Sequence, residues 1–246
     1  MKFENFIKKL SAAAASIVVF LLAAGMYLSF KGFVLNEDGS ITLVKNANAA
    51  EQPVGDIDSI GKKLPQNLII PYGKVLGTEK APVALYEYSS FGCFHCANFH
   101  LNILPKIKKE FVDTGKVKVI FIDFPLEQKS LQASLASHCF RGKKYFDYLK
   151  ILFEKQHEWG TSSQTVPLLK KYAEQLGMNG EEIENCLNDK KQLQEIMDNR
   201  QYAIKHLEIN GTPSFVVSSL KDRRIIYGAP NFETMKAILE KNIPAK

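Results

Sequence analysis

The sequence predicts an α/β fold in which a strand–helix–strand unit and a strand–strand–helix unit are split by an all-helical block. Three observations predict it. Short β-branched and aromatic runs at 83–88 and 117–124 flank a stretch with helical spacing. From Leu126 to about His206 the pattern is helical throughout. Beyond it, two strand-like runs at 214–218 and 223–227 precede a last helix over about 231–241.

The chain of 246 residues begins with Lys2, Lys8 and Lys9 ahead of an uncharged stretch from Leu10 to Phe30. That stretch is about 21 residues, close to the ~20 that a helix needs to cross a bilayer. A positive flank before an apolar run marks a secretory signal or a membrane anchor, and it argues against a buried core helix. Ala47-Asn48-Ala49-Ala50 offers the small residues that a signal peptidase prefers, although at some distance past the run. A cleaved leader over 1–50 is the first reading and a retained signal anchor the second. Either one places the rest of the chain outside the cytoplasm.

Residues 51–74 are polar around Pro53, Pro65 and Pro71, with no clear period, and read as a linker. The first part of the α/β domain spans 75–127. In it, Val83–Tyr88 is a strand, Phe91-Gly92 a turn, and Cys93 to about Thr114 a helix ended by Gly115. Phe99, Ile103, Leu104, Ile107 and Phe111 fall at helical intervals there. Val117–Phe124 follows as a strand, so the connection has the length of a parallel crossover. The helical insertion spans 128–208. It divides into three or four amphipathic pieces, broken at Gly142, around Gly160 to Pro167, and at Gly177 to Gly180. The second part of the α/β domain, 209–246, has its hairpin turn at Leu220-Lys221-Asp222.

Composition is ordinary for a soluble globular protein. The net charge of +6 comes from lysines scattered between acids, which describes a solvated basic surface rather than a nucleic-acid footprint. The cysteines are Cys93, Cys96, Cys139 and Cys186, and an even number in an oxidising compartment suggests two disulfides.

Cys93-Phe94-His95-Cys96 sits where a strand ends and a helix begins. Positions i and i+3 share a helix face about 5–6 Å apart, inside the window of a disulfide. Cys93 in the first turn meets unsatisfied N–H groups and the positive end of the helix dipole, which favour a thiolate. The thiolate is the attacking species in exchange, and each pKa unit of lowering is worth about 1.4 kcal/mol. His95, between the sulfurs, can add charge or a hydrogen bond to the same end. Cys96, one turn deeper, is the resolving thiol. Zinc needs four ligands, and Cys93, Cys96 and His100 supply three with no further Cys/His pair at metal spacing. Haem attachment requires His directly after the second cysteine, and position 97 is Ala97. No metal and no organic cofactor are therefore expected; the cysteines themselves carry the electrons.

Gly211-Thr212-Pro213 precedes the strand at 214–218. A turn proline alone is weak evidence, but paired with a CxxC opening a strand–helix–strand unit it is specific. From about Val75 to Asn242 the chain resembles the bacterial periplasmic dithiol oxidases of the DsbA family, within the thioredoxin superfamily. The residues that carry the resemblance are Cys93 to Cys96, the preceding Tyr86-Glu87-Tyr88-Ser89-Ser90-Phe91, the helical insertion, and Thr212-Pro213. The resemblance implies a thioredoxin fold with an inserted all-helical domain. It implies a cis bond before Pro213, in a loop that packs beside the sulfurs and helps bind extended substrate chain. It also implies that Glu87 is a buried acid assisting proton transfer near Cys96, with a surface or capping glutamate as the alternative. Reduced exported proteins are the implied substrates, and a quinone-linked membrane oxidase the implied reoxidant, with the protein in the periplasm as a monomer. The chain departs from the family in having Phe-His where Pro-His is most frequent. Phe94 gives up proline's fixed φ and adds a large ring, so potential and partner surface depend on it.

Cys139 and Cys186 lack the setting of a nucleophile and read as a structural disulfide. Closing that loop of about 48 residues is worth about 4 kcal/mol by the chain-entropy argument. Two buried free thiols are the alternative. Two other functions share these features. One is a disulfide isomerase or reductase using the same site, although residues 31–70 look too short and irregular for a dimerisation domain. The other is a thioredoxin-fold surface binding protein without turnover.

Overall fold

The computed structural model describes residues 33–35, 41–43 and 56–244. The leader reading lies outside the described residues. Among the described residues, no helix is long and apolar enough to cross a membrane. The chain divides into two compact units, 1–53 and 54–246. In the first, β1 (Phe33–Leu35) and β2 (Ile41–Leu43) pair antiparallel, with Val34 opposite Thr42.

The second unit is built on a six-stranded sheet ordered β3-β8-β7-β5-β6-β4. Its strands are β3 (Lys62–Lys63), β4 (Lys74–Leu76), β5 (Val83–Ser89), β6 (Val117–Asp123), β7 (Ser214–Ser218) and β8 (Arg223–Tyr227). Only β5 and β6 run parallel; the other pairs are antiparallel. β5 lies between β6 and β7 and is buried on both faces, which is why its sequence reads as a nearly unbroken apolar run. The edge strands β3 and β4 fall in or beside the stretch read as a linker. They are two and three residues long, too short to print an alternation.

The helix after β5, α1, spans 94–112. It alternates α turns (Phe94–Asn98, Leu104–Ile107) with wider π turns (Phe99–Ile103, Lys108–Val112). Pro105 accounts for the first widening: it has no N–H to give, and the neighbouring Leu104 N–H donates to Phe99 O, five residues back. The last helix is α8 (Phe232–Asn242). α1 and α8 cover one face of the sheet, packing Phe99, Ile107, Phe111, Met235 and Ile238 on Val83, Leu85, Val119 and Phe215.

The insertion holds six helices: α2 (Gln128–Ser137), α3 (Lys143–Glu154), α4 (Gln156–Thr161), α5 (Thr165–Glu174), α6 (Gly180–Leu187) and α7 (Lys190–Leu207). Three of the breaks carry no glycine or proline, one of them Ser162 to Gln164 between α4 and α5. α3 and α4 part at Lys155, and α6 and α7 part where the Asp189 carboxylate accepts the N–H groups of Lys191 and Gln192. α7 lies on the second face of the sheet, where Ala203 and Leu207 join Ala84, Tyr88, Ile120 and Val216. The helical block has its own core around Trp159, Tyr148, Leu152 and Tyr172, and Phe91, Cys96 and Phe121 extend that core to the sheet. Cys139, just after α2, is bonded to Cys186 of α6 with Cα atoms 5.7 Å apart.

Candidate active site

The chain leaves β5 at Ser89 and turns at once into α1. Cys93 N–H donates to Ser90 O at 3.1 Å, and the bare Cα of Gly92 leaves room for the Glu127 carboxylate, which a Cβ there would push aside. Gln156 of α4 clamps the turn from the helical block. Its Nε2 donates to Phe91 O at 2.6 Å and to Cys93 O at 2.9 Å. The Phe91 ring anchors the turn between Phe121 and Phe153. Cys93 is the cap residue of α1, in extended conformation, rather than a member of its first turn. Its sulfur therefore faces the free N–H groups of the helix.

The two sulfurs have opposite surroundings. Cys93 is half-buried and its thiol donates to Thr212 O at 3.2 Å. A hydrogen bond from the Cys96 thiol, then the Thr212 side chain and the backbone N–H groups of Cys96 and His95, pull the Cys93 pKa down to about 5 against partial burial. The Thr212 hydroxyl is buried and has no other partner, so it is free to turn to the thiolate. Cys96 is fully buried. Burial above all, then the bond given to Cys93 and the charge of Glu87, push its thiol well above the ordinary range. One sulfur is thus held ready as an anion while the other keeps its proton.

Pro213 follows a cis peptide bond from Thr212 and lines a cleft of about 540 Å³ together with Thr212, Ser214 and Tyr227. Tyr227, 48% exposed, and Phe94, 74% exposed, give the surroundings of Cys93 an apolar surface. The His95 ring is exposed, edge-on to Phe94; what His95 gives the thiolate is its backbone N–H.

Glu87 is fully buried, not a surface or capping residue. The register sets it opposite Phe121 on one side and Phe215 on the other, on the sheet face that also carries Val83 and Leu85. Its carboxylate meets the His100 imidazole, with Nε2 3.0 Å from one oxygen and 2.9 Å from the other. The sequence considered His100 only as a metal ligand, and it gave no signal at all for Gln156, which approaches from 63 residues away. Asp123, buried, and His138, partly buried, form a second pair, with Oδ2 and Nε2 at 2.7 Å. Among the described residues, no group of three or more His, Cys, Asp or Glu is placed to hold a metal ion.

A redox-capable CxxC at a helix mouth, facing a cis-proline loop across a sheet with helices on both faces, defines a thioredoxin-fold dithiol protein. The comparisons with known proteins narrow that class. The thioredoxin family model matches residues 70–241. The crystal structure of Wolbachia pipientis alpha-DsbA1 superposes with a TM-score of 0.64 at 31% identity, covering 72% of this chain and 93% of that one. Oxidised BdbD from Bacillus subtilis gives 0.62 at 25% identity, covering 74% and 97%. A Rickettsia conorii protein provisionally named a protein-disulfide oxidoreductase is 30% identical over 173 residues, 70% of this chain. The match spans only 62% of that relative's length. Disulfide bond formation protein D of Bacillus subtilis is 28% identical over 180 residues, 70% of this chain and 78% of that protein. The chain belongs to the thioredoxin family, in its DsbA-like branch.

Proposed function

We propose that the protein is a thiol–disulfide oxidoreductase that introduces disulfide bonds into exported proteins through Cys93 and Cys96. The observation that carries this reading is the asymmetry of the two sulfurs. A substrate thiolate attacks Cys93 Sγ of the oxidised pair, a mixed disulfide forms, and the electron pair of the broken bond leaves on Cys96. A second substrate thiolate then displaces Cys93, which departs readily because it is the more stable anion. The substrate leaves oxidised and the enzyme reduced. The exposed rings of Phe94 and Tyr227 and the cleft beside Pro213 are the surface offered to an extended chain.

The direction of electron flow follows from the Cys93 thiolate. Only the lowering below the working pH counts. At pH 7 a thiol with a pKa of about 5 stabilises the reduced state by about 3 kcal/mol, an upper bound because the half-buried sulfur is partly screened. For two electrons that is ~60 mV toward an oxidant. The relatives' names support the same chemistry. The leader supports action in the periplasm, and the return of electrons to a membrane reoxidase completes the cycle. The protein acts as a monomer.

The test is oxidative refolding of a reduced, denatured substrate, with the potential of the pair read by equilibration with glutathione. The expected result is catalysed disulfide formation and a pair that glutathione holds largely reduced. A strongly reducing potential would reverse the assignment to a reductase. Activity undiminished by Cys93→Ser would exclude catalysis at this site. Fractionation of cells expressing the full chain checks the compartment.

A further inference from the structure

We propose that His100 is a positioning residue for the resolving cysteine: it holds Glu87 and passes through it the proton that Cys96 takes up and gives back in each cycle. This rests on the dithiol reading of the site and deepens it.

The need for such a residue comes from burial. When a substrate thiolate attacks Cys93, Cys96 is released as a thiolate inside the protein, away from water. It takes a proton to become a thiol. On reoxidation Cys93 forms a mixed disulfide with the oxidant, and the Cys96 thiol loses that proton as its sulfur attacks Cys93 Sγ. Each cycle therefore moves one proton in and one out at a fully buried atom. Glu87 already acts on Cys96 through its charge.

The groups around the carboxylate are few. β5 contributes Glu87 and the buried Ser89 hydroxyl; α1 contributes Cys96 and His100. Tyr145 of α3 feels both Glu87 and Asp123, and Asp123 is itself paired with His138. Phe121 and Phe153 complete the wall without charge. Among the hydrogen bonds described, only His100 reaches the Glu87 carboxylate. Its ring is stacked on Phe153 at 4.5 Å and set edge-on to Phe99 and Phe121, so its direction is fixed. The π turn that starts at Phe99 carries it one turn past Cys96.

A buried carboxylate needs a donor, and an amide would serve. An imidazole does more. The proton between Nε2 and the carboxylate can sit on either partner with no change in the net charge of the pair. Glu87 as the acid gives its proton to the Cys96 thiolate, leaving thiol and carboxylate. The ring, 8% exposed as a residue, then takes a proton from bulk water and passes it to the carboxylate, which restores the acid. Resolution runs the same steps backwards.

The experiment loads Cys93 as a mixed disulfide with thionitrobenzoate and follows the coloured thiol released as Cys96 attacks, from pH ~5 to pH ~9. The parent's rate should bend with pH. His100→Gln keeps an N–H on Glu87 and carries no proton. It should lose the bend and release about 10²-fold more slowly near neutrality, the low end of what a positioned acid–base group contributes. The Cys93 thiolate absorbance should titrate as in the parent. A profile that superposes on the parent's, or one that is slower at every pH with the bend retained, overturns the proposal. Should His100→Gln not fold, the His100 ring resonances of the parent decide: they must shift between the oxidised and reduced protein, and a ring indifferent to redox state sinks the idea. If the parent itself releases no thiol, the dithiol reading fails and takes the proposal with it.

Discussion

The two cysteine pairs sit at opposite ends of helices, and that difference sets the pair proposed to exchange apart from the bonded one. Cys93 caps the N-terminus of α1, where free N–H groups and the positive dipole end favour the thiolate. Cys139 follows the C-cap of α2 and Cys186 is the penultimate residue of α6, both at the negative end of the dipole. A thiolate there is a poor leaving group, so attack on that bridge is slow. Separation along the chain acts in the same direction. Cys93 and Cys96 are neighbours on one turn, and their bond restrains little of the unfolded chain. Cys139 and Cys186 are 47 residues apart, and their bond removes much of its freedom.

The largest expected effect breaks this comparison at its stronger arm. Cys93→Ser should cut oxidation of a dithiol peptide by at least ~10³-fold, the scale of losing a nucleophile, whereas Cys139→Ala with Cys186→Ala should stay within about threefold of the parent. The double variant should instead lose about 4 kcal/mol of stability, read from the denaturant midpoint with Cys93–Cys96 oxidised in both proteins. A large activity loss in the double variant, with the fold intact, would mean that the second bridge also exchanges.

The pairs should also differ in how stability depends on pH. The Cys93 thiol is depressed to about 5, so its contribution to the reduced protein is complete above the ordinary thiol range. It declines as pH falls and is gone below about 5. The melting temperature of the reduced protein relative to the oxidised one should therefore drop between pH ~9 and pH ~5, with about 3 kcal/mol as the upper bound lost between pH 7 and 5. Removing the Cys139–Cys186 bridge should leave that slope unchanged, because a bridge does not titrate.

Much of this contrast could be read from residue order. Strands β5 to β8 and helix α1 follow from runs of Val, Ile and Phe bounded by Gly and Pro, since each is long enough to carry a period. The CxxC and Thr212-Pro213 are local motifs, and their meeting follows once the strands on either side pair. The Cys139–Cys186 bond was anticipated from parity and compartment. What stayed hidden was whatever depends on packing between distant segments. β3 and β4 are too short for a pattern. Lys155 separates α3 from α4 without a breaker residue. His100 reads as any polar residue on a helix until the register places Glu87 beneath it. The contribution of His95 is not the ring that sequence suggests but a backbone N–H, which every non-proline residue has.

Gln156 carries the smallest effect and sharpens the comparison most directly, because it is a point where the helical block touches the reactive turn. Both protons of its Nε2 are spent on carbonyls at 91 and 93. Cys93 O retains the Ala97 N–H in its absence, so Gln156→Ala leaves only the Phe91 carbonyl needing a new partner. The cost should be about 1 kcal/mol of stability. A looser turn lets the Cys93 sulfur drift from the N–H groups that hold it as an anion. Its pKa should rise by a few tenths, which makes Cys93 a poorer leaving group, so its displacement from the mixed disulfide by a substrate thiolate should slow by about twofold. Gln156→Glu should go further in the same direction, since it replaces a donor with an acceptor and sets a negative charge beside the thiolate. If both variants match the parent in thiol titration and rate, the helical block is a bystander at the helix mouth. If only Gln156→Glu departs, the block acts on Cys93 through charge and not through the clamp.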